Sequence, residues 1–138
     1  MSDPFMETLG LKVLSLGPGE AVVEGRVEKA HLNLHGTGHG GFLYALADSA
    51  FALASNSRGP AVALSTRMDY FRPVRAGERV RAVAQEVFLS RRTATYRVDV
   101  LRLGEDGPER VALFTGTVYR LEVKDVPTGA RDSAQGEA

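Results

Sequence analysis

The sequence predicts an α+β domain in which a single apolar helix is wrapped by a curved antiparallel sheet, on three observations. Residues 40–56, GGFLYALADSAFALASN, carry Phe42, Leu43, Leu46, Ala47, Ala50, Phe51, Leu53 and Ala54 on nearly every side of a helix. A helix that is apolar all round has to be covered all round. Beyond it, runs at 61–72, 79–90, 92–103 and 110–123 read as strands, with no helical period between them. The joining segments RPVRAGE, SRR and GEDGPE are short enough for antiparallel hairpins.

SDPFMETLG predicts a short opening helix: Asp3 caps it, Pro4 fits its first turn and Gly10 lets the chain leave. Phe5, Met6 and Leu9 are its expected buried stripe. LKVLSL follows as a first strand and GPGE, residues 17–20, as a turn. In AVVEGRVEKA, Ala21, Val23, Gly25 and Val27 alternate with Val22, Glu24, Arg26 and Glu28, the pattern of a half-buried strand. Residues 31–40 form a glycine-rich loop leading into the apolar helix, which SNSRGP ends. Ala45, Ala47, Ala52 and Ala54 are small enough to let a sheet approach that helix closely. Further on, Ala94, Tyr96, Val98 and Val100 share one strand face, opposite Thr95, Arg97 and Asp99. The polar, aperiodic tail 124–138 is expected to be disordered, leaving one domain over 1–123.

Composition narrows the function. Lys plus Arg and Asp plus Glu number 17 each, so no net field draws the chain to nucleic acid. With no cysteine, disulfides, thiolate nucleophiles and cysteine–zinc sites are removed together. MSDPFMETLG has neither the basic start nor the apolar stretch of a signal peptide, and the 42–54 run is too short to span a bilayer. A cytoplasmic protein with no membrane or nucleic-acid partner is expected. His31, His35 and His39 recur every four residues, which on a helix would make a metal-binding face. Gly36 and Gly38 interrupt any helix there and no carboxylate accompanies the histidines, so neither metal nor cofactor is expected.

One charged residue, Asp48, stands inside the apolar helix. An unpaired carboxylate buried there costs several kcal/mol or shifts its pKa, so a use for it is expected. At the helix start, Gly40 and Gly41 expose backbone N–H groups without a Cβ in the way. Such donors suit a phosphate, a carboxylate or the oxyanion formed when a carbonyl is attacked. Gly41 and Asp48 lie seven residues apart, on one face and about 10 Å apart along the axis. One carbonyl group cannot easily meet both on the same helix, whereas two antiparallel copies in a dimer could bring them together. A polarised carbonyl with a carboxylate, but without a GxSxG elbow, points to acyl transfer to water. Asp48 would act as general base or as nucleophile. Ser49, with no base beside it, reads as packing, and Phe42, Tyr44 and Phe51 read as core.

NLHGTGHGGFLYALADSAFALASN resembles the Asn-x-x-Gly-x-x-His-Gly-Gly…Asp signature of hotdog-fold acyl-CoA thioesterases, and most narrowly their phenylacetic acid degradation subfamily. STRMDYFRPV and LSRRTATYRVDV are similar to strand motifs of that subfamily, and the resemblance spans roughly residues 5–120. It implies a hotdog fold, subunits paired into dimers that commonly form tetramers, and an aryl-acyl-CoA substrate such as phenylacetyl-CoA or hydroxyphenylacetyl-CoA, with coenzyme A as part of the substrate. By the same resemblance, Asp48 is the catalytic carboxylate and Gly41 supplies the N–H to the thioester oxygen. His39 and Asn33 fall on the motif's polar positions, shaping the loop and placing carbonyl or water. Arg72, and Ser90, Arg91, Arg92 and Thr93, fall where the group holds the coenzyme A arm. Gly40 and Tyr70 are counted with them as substrate-binding. Two other readings remain: a non-catalytic acyl-CoA sensor, which would have no need of Asp48, and a hotdog hydratase, whose usual histidine–acid motif is not found.

Overall fold

The computed structural model describes residues 2–122; the expected tail, 124–138, lies outside them. Six strands form one antiparallel sheet: β1 (Lys12–Gly17), β2 (Glu20–Arg26), β3 (Ala61–Tyr70), β4 (Arg79–Leu89), β5 (Thr93–Gly104) and β6 (Gly107–Arg120). Their spatial order is β1-β2-β4-β5-β6-β3. Two helices accompany them, α1 (Pro4–Thr8) and α2 (Gly40–Asn56), and a short 3-10 turn covers Lys29–His31. Among the described residues no helix is long and apolar enough to cross a membrane.

α1 starts as its sequence dictates, with the Asp3 carboxylate accepting from the Met6 N–H at 2.8 Å. Its expected stripe narrows to buried Met6 and partly buried Leu9, while Phe5 is 61% exposed. A helix of five residues presents little more than one face, and Phe5 sits about 100° round from Met6. α2 has the expected bounds and lies across β2, β4 and β5. Leu46, Ala47, Ala50, Phe51 and Ala54 meet the inward faces of the strands, where Val23, Ala82, Ala84, Tyr96, Val98 and Phe114 are all fully buried. The Tyr96 hydroxyl, deep in this core, donates to Glu86 at 2.9 Å, and Arg58 donates to the same oxygen at 2.7 Å.

Close approach of helix to sheet depends on Gly116, where an added Cβ would come within 2.7 Å of the Phe51 ring. Neither ring nor strand can retreat in a close-packed core. Gly116→Ala is expected to lower stability by about 1–3 kcal/mol, read as a fall in the denaturant midpoint at unchanged slope.

The sheet order corrects one expectation. SRR and GEDGPE do close hairpins, β4–β5 and β5–β6, but RPVRAGE does not. β3 pairs with β6 at one edge, whereas β4 lies between β2 and β5. Residues 71–78 therefore cross the end of the sheet instead of turning back. Pro73 has no N–H to give a ladder, so strand pairing stops before it. The crossing is anchored: Gly38 N–H donates to Val74 O at 2.7 Å, Gly77 N–H donates to Val27 O at 2.7 Å, and the Val74 side chain is fully buried. It therefore forms the floor beneath the glycine-rich loop.

Candidate active site

The loop before α2 is built on Asn33. Its Oδ1 accepts from the N–H groups of His35 at 2.9 Å and Thr37 at 3.2 Å, and its amide donates to Thr37 Oγ1 at 3.0 Å. That closes a turn in which Gly36 takes φ 80°, a left-handed conformation glycine adopts without strain. His31 leaves the histidine series for a structural post, stacked on Phe42 at 4.0 Å with Nδ1 accepting from the Glu28 N–H.

His39 caps α2. Its N–H donates to His31 O at 2.7 Å, and its Nδ1 accepts from the Gly41 N–H at 2.8 Å. The donor proposed for a thioester oxygen is thus held by an exposed imidazole of its own loop. On the other side, the Tyr70 hydroxyl donates to Gly40 O at 2.9 Å. Asn33, Gly40, Tyr70 and Arg72 line one cleft of about 320 Å³, floored by Pro73 and Val74. The Arg72 guanidinium stands at its rim, 3.5 Å from Glu109.

Between positions 40 and 55 of α2, only Gly40, Gly41, Tyr44 and Asp48 escape full burial. Their spacing of three and four places them in one stripe that the chain's own sheet leaves uncovered. Burial, and secondarily the negative charge of Asp3, push the Asp48 pKa from 3.8 to about 6. Among the described residues no hydrogen bond or ion pair offsets this. Ser49, its neighbour, is buried and donates to Ala45 O at 2.7 Å, as a packing residue should.

Tyr44 departs from its expected place in the core. It is half-buried on the stripe between Gly41 and Asp48, its hydroxyl in short contact with the Thr66 hydroxyl and its ring edge-on to Phe114. The signal was present in the i, i+3, i+7 spacing of Gly41, Tyr44 and Asp48. Thr66 had no such signal, lying in a polar run of an edge strand.

The remaining sequence-predicted residues are not brought to this cleft within one chain. Ser90 and Thr93 close the β4–β5 hairpin through N–H, carbonyl and hydroxyl bonds at 2.8 to 3.1 Å. Arg91 and Arg92 reach Glu122 at 3.7 and 3.3 Å, and Arg92 lies over the Tyr119 ring. This hairpin is tied to Arg120, which pairs with Ala61 just past the C-terminal end of α2. The glycine-rich loop stands at the other end, about 25 Å away along a helix of that length. Among the described residues no group of three or more histidine, aspartate or glutamate side chains could hold a metal ion.

This fold and this helix signature define a class. Residues 35–108 match the thioesterase superfamily, and the chain belongs to it: a hotdog-fold thioester hydrolase. It is similar to acyl-coenzyme A thioesterase PaaI of Escherichia coli K12, 37% identical over 121 residues that make up 87% of this chain and 84% of that protein. A variant of the phenylacetic acid degradation protein PaaI from Thermus thermophilus is 75% identical, with a TM-score of 0.82 over 86% of this chain and 100% of that one. The Streptococcus mutans UA159 protein smu.793, solved bound to acetyl CoA, is 27% identical with a TM-score of 0.74, covering 80% of this chain and 87% of that one.

Proposed function

We propose that the protein is a cytoplasmic acyl-CoA thioesterase acting on aryl-acyl-CoAs such as phenylacetyl-CoA or hydroxyphenylacetyl-CoA, at sites shared between two subunits of a dimer. The observation that carries this reading is Asp48: a carboxylate with no donor among the described residues, on the uncovered stripe of a buried helix, in line with the Gly40–Gly41 turn. The name of the Escherichia coli relative supports the acyl-CoA substrate, and that of the Thermus thermophilus protein the aryl group.

The dimer follows from what one chain leaves unpaired. Among the described residues the outer edge of β3 has no partner strand, and Tyr44 meets Thr66 near the middle of that edge. Two β3 edges paired antiparallel about Thr66 put a two-fold axis level with Tyr44 and Ala45. Positions 41 and 48 lie equally far to either side, so Gly41 faces Asp48 of the partner subunit. The same axis carries the partner's Ala61 end, with its β4–β5 hairpin, to the Tyr70 end of the first chain. Arg91 and Arg92 of the partner subunit then join Arg72 at one cleft, where arginines suit the phosphates of coenzyme A. Pairs of such dimers would form the tetramer that the sequence resemblance implies.

At that seam, the Gly41 N–H draws charge onto the thioester oxygen, which replaces His39 Nδ1 as its acceptor when the carbonyl arrives. The carboxylate of Asp48 either takes a proton from water as it attacks the carbonyl carbon or attacks that carbon itself, giving a mixed anhydride that water opens. The C–S bond breaks, and coenzyme A leaves as a thiolate that is protonated in water. This course requires no metal and no cofactor, coenzyme A being part of the substrate. Either course consumes the ionised carboxylate, so activity rises with pH through the pKa of Asp48. Below about pH 6, kcat/KM is expected to fall about tenfold per unit, read from initial rates across a constant-ionic-strength buffer series.

The substrate test follows thiol release from a panel of aryl, short and long straight-chain acyl-CoAs. Fastest release from phenylacetyl- or hydroxyphenylacetyl-CoA supports the reading. Faster release from a straight-chain substrate removes the aryl preference. Binding without release from any acyl-CoA would make the protein a sensor, and loss of enoyl absorbance without thiol would make it a hydratase.

A further inference from the structure

The Gly40 carbonyl and the Gly41 N–H belong to one planar peptide unit. The structure places a side chain on each end of it: the Tyr70 hydroxyl donates to the oxygen at 2.9 Å, and His39 Nδ1 accepts from the nitrogen at 2.8 Å. We propose that Tyr70 is a positioning residue, which orients this peptide and strengthens the Gly41 N–H as a donor to the thioester oxygen. This inference rests on the proposed role of Gly41 and deepens it.

The physics is that of linked hydrogen bonds. A donor on the amide oxygen draws electron density from nitrogen toward oxygen, leaving the N–H more positive. As the first helical residue, Gly40 already has a carbonyl directed at the N–H four residues on. Tyr70 adds a second donor from outside the helix.

The arrangement is held from several directions. Tyr70 is the last residue of β3, paired with Ala112, and the next two N–H groups donate to Val111 O at 2.8 and 3.2 Å. Its ring lies flat enough on the turn that a Cβ at Gly40 would stand 3.3 Å from it. A side chain at 40 would press on that ring and push the hydroxyl back by a few tenths of an ångström. Burial raises the Tyr70 pKa, with Tyr44 adding to the shift, so the phenol keeps its proton through the working range. A wall residue would need only the ring; the aimed hydroxyl is what a wall does not explain.

The test separates donor strength from packing. Phenylacetyl-CoA labelled with 13C at the carbonyl is bound to Asp48→Asn protein, where turnover is slow, and its carbonyl stretch is read by isotope-edited infrared spectroscopy. Binding is expected to move the stretch to lower frequency, and adding Tyr70→Phe to return it part of the way toward the free ester. Replacing Tyr70 with 3-fluorotyrosine, a stronger donor of the same shape, is expected to push the stretch lower still. In the otherwise unaltered enzyme, Tyr70→Phe should lower kcat about three- to tenfold with KM changed less than twofold, the mark of an interaction made in the transition state. A stretch that shifts on binding but ignores both replacements overturns the role of Tyr70 and leaves that of Gly41 standing. A stretch that does not shift on binding at all overturns both.

Discussion

Asp48→Asn is expected to lose about 10²–10⁴-fold of its thiol-releasing activity and, at pH 8, to unfold at a higher temperature than the unaltered protein. The two effects have one cause. A carboxylate placed on an apolar helix without a donor is poised to act because its charge is poorly solvated, and that same charge burdens the fold. Its pKa stands at about 6 against 3.8 in the unfolded chain. The folded state therefore holds the proton more tightly. As pH rises from 3.8, the unfolded chain ionises first and stability is lost; above about 6 the loss is complete. Undiminished, a shift of that size is worth about 3 kcal/mol, and about 1–2 kcal/mol once water reaching a half-buried group is allowed for. Asparagine keeps the shape and drops the charge, so the gain should be present at pH 8 and should fade between pH 6 and 4. Melts at three pH values decide it. A variant that is inactive but no more stable at pH 8 would mean that Asp48 has a donor in the working assembly.

The helix that carries this group was legible because its signals are local. A histidine–glycine entry, an apolar run without a polar face and the SNSRGP exit bracket Gly40–Asn56, and those are its bounds. The face of β5 was legible for the same reason: Ala94, Tyr96, Val98 and Val100 alternate inward and are all buried. Alternation reports which way a side chain points, not which strand lies alongside, so the crossing of residues 71–78 could not be read from it. β3 hid something further. Val62 and Leu64 sit exposed on an edge that none of the described residues covers, which as sequence looked like any half-apolar strand. The candidate site divides along the same line. The loop residues Asn33, His39, Gly40 and Gly41 are close in sequence and close in space. The Ser90–Thr93 hairpin carries a motif of equal clarity, yet stands at the far end of α2, because a motif names a residue's kind and leaves its distance to topology. Tyr44 was absorbed into the core by its aromatic character, although its spacing from Gly41 and Asp48 marked it for the stripe.

Mixing two inactive proteins is expected to restore activity. Gly41→Pro removes the N–H in the first turn of α2, where proline is tolerated and the lost hydrogen had no helical acceptor. Asp48→Asn removes the carboxylate. When each is a homodimer, both sites lack one of the two groups. In a mixed dimer with the seam proposed here, the Asp48→Asn chain lends its intact glycine turn to the carboxylate of the Gly41→Pro chain, and one site of two is whole. Random reassortment of equal amounts puts half the dimers in that state, so about a quarter of the unaltered activity should return. The reverse arrangement supplies the control. Combining both substitutions in one chain and mixing it with the unaltered chain should give hybrids with no working site, since every seam then has a defective half. If turn and carboxylate instead served the same chain, the outcomes would exchange: the two single variants would stay silent together, and the doubly altered hybrid would keep half its sites. Circular dichroism and melting of each homodimer exclude misfolding as the source of silence. Restored activity is the expected outcome, because Gly41 and Asp48 sit almost two turns apart on one helix, too far for a single carbonyl to meet both in the same chain.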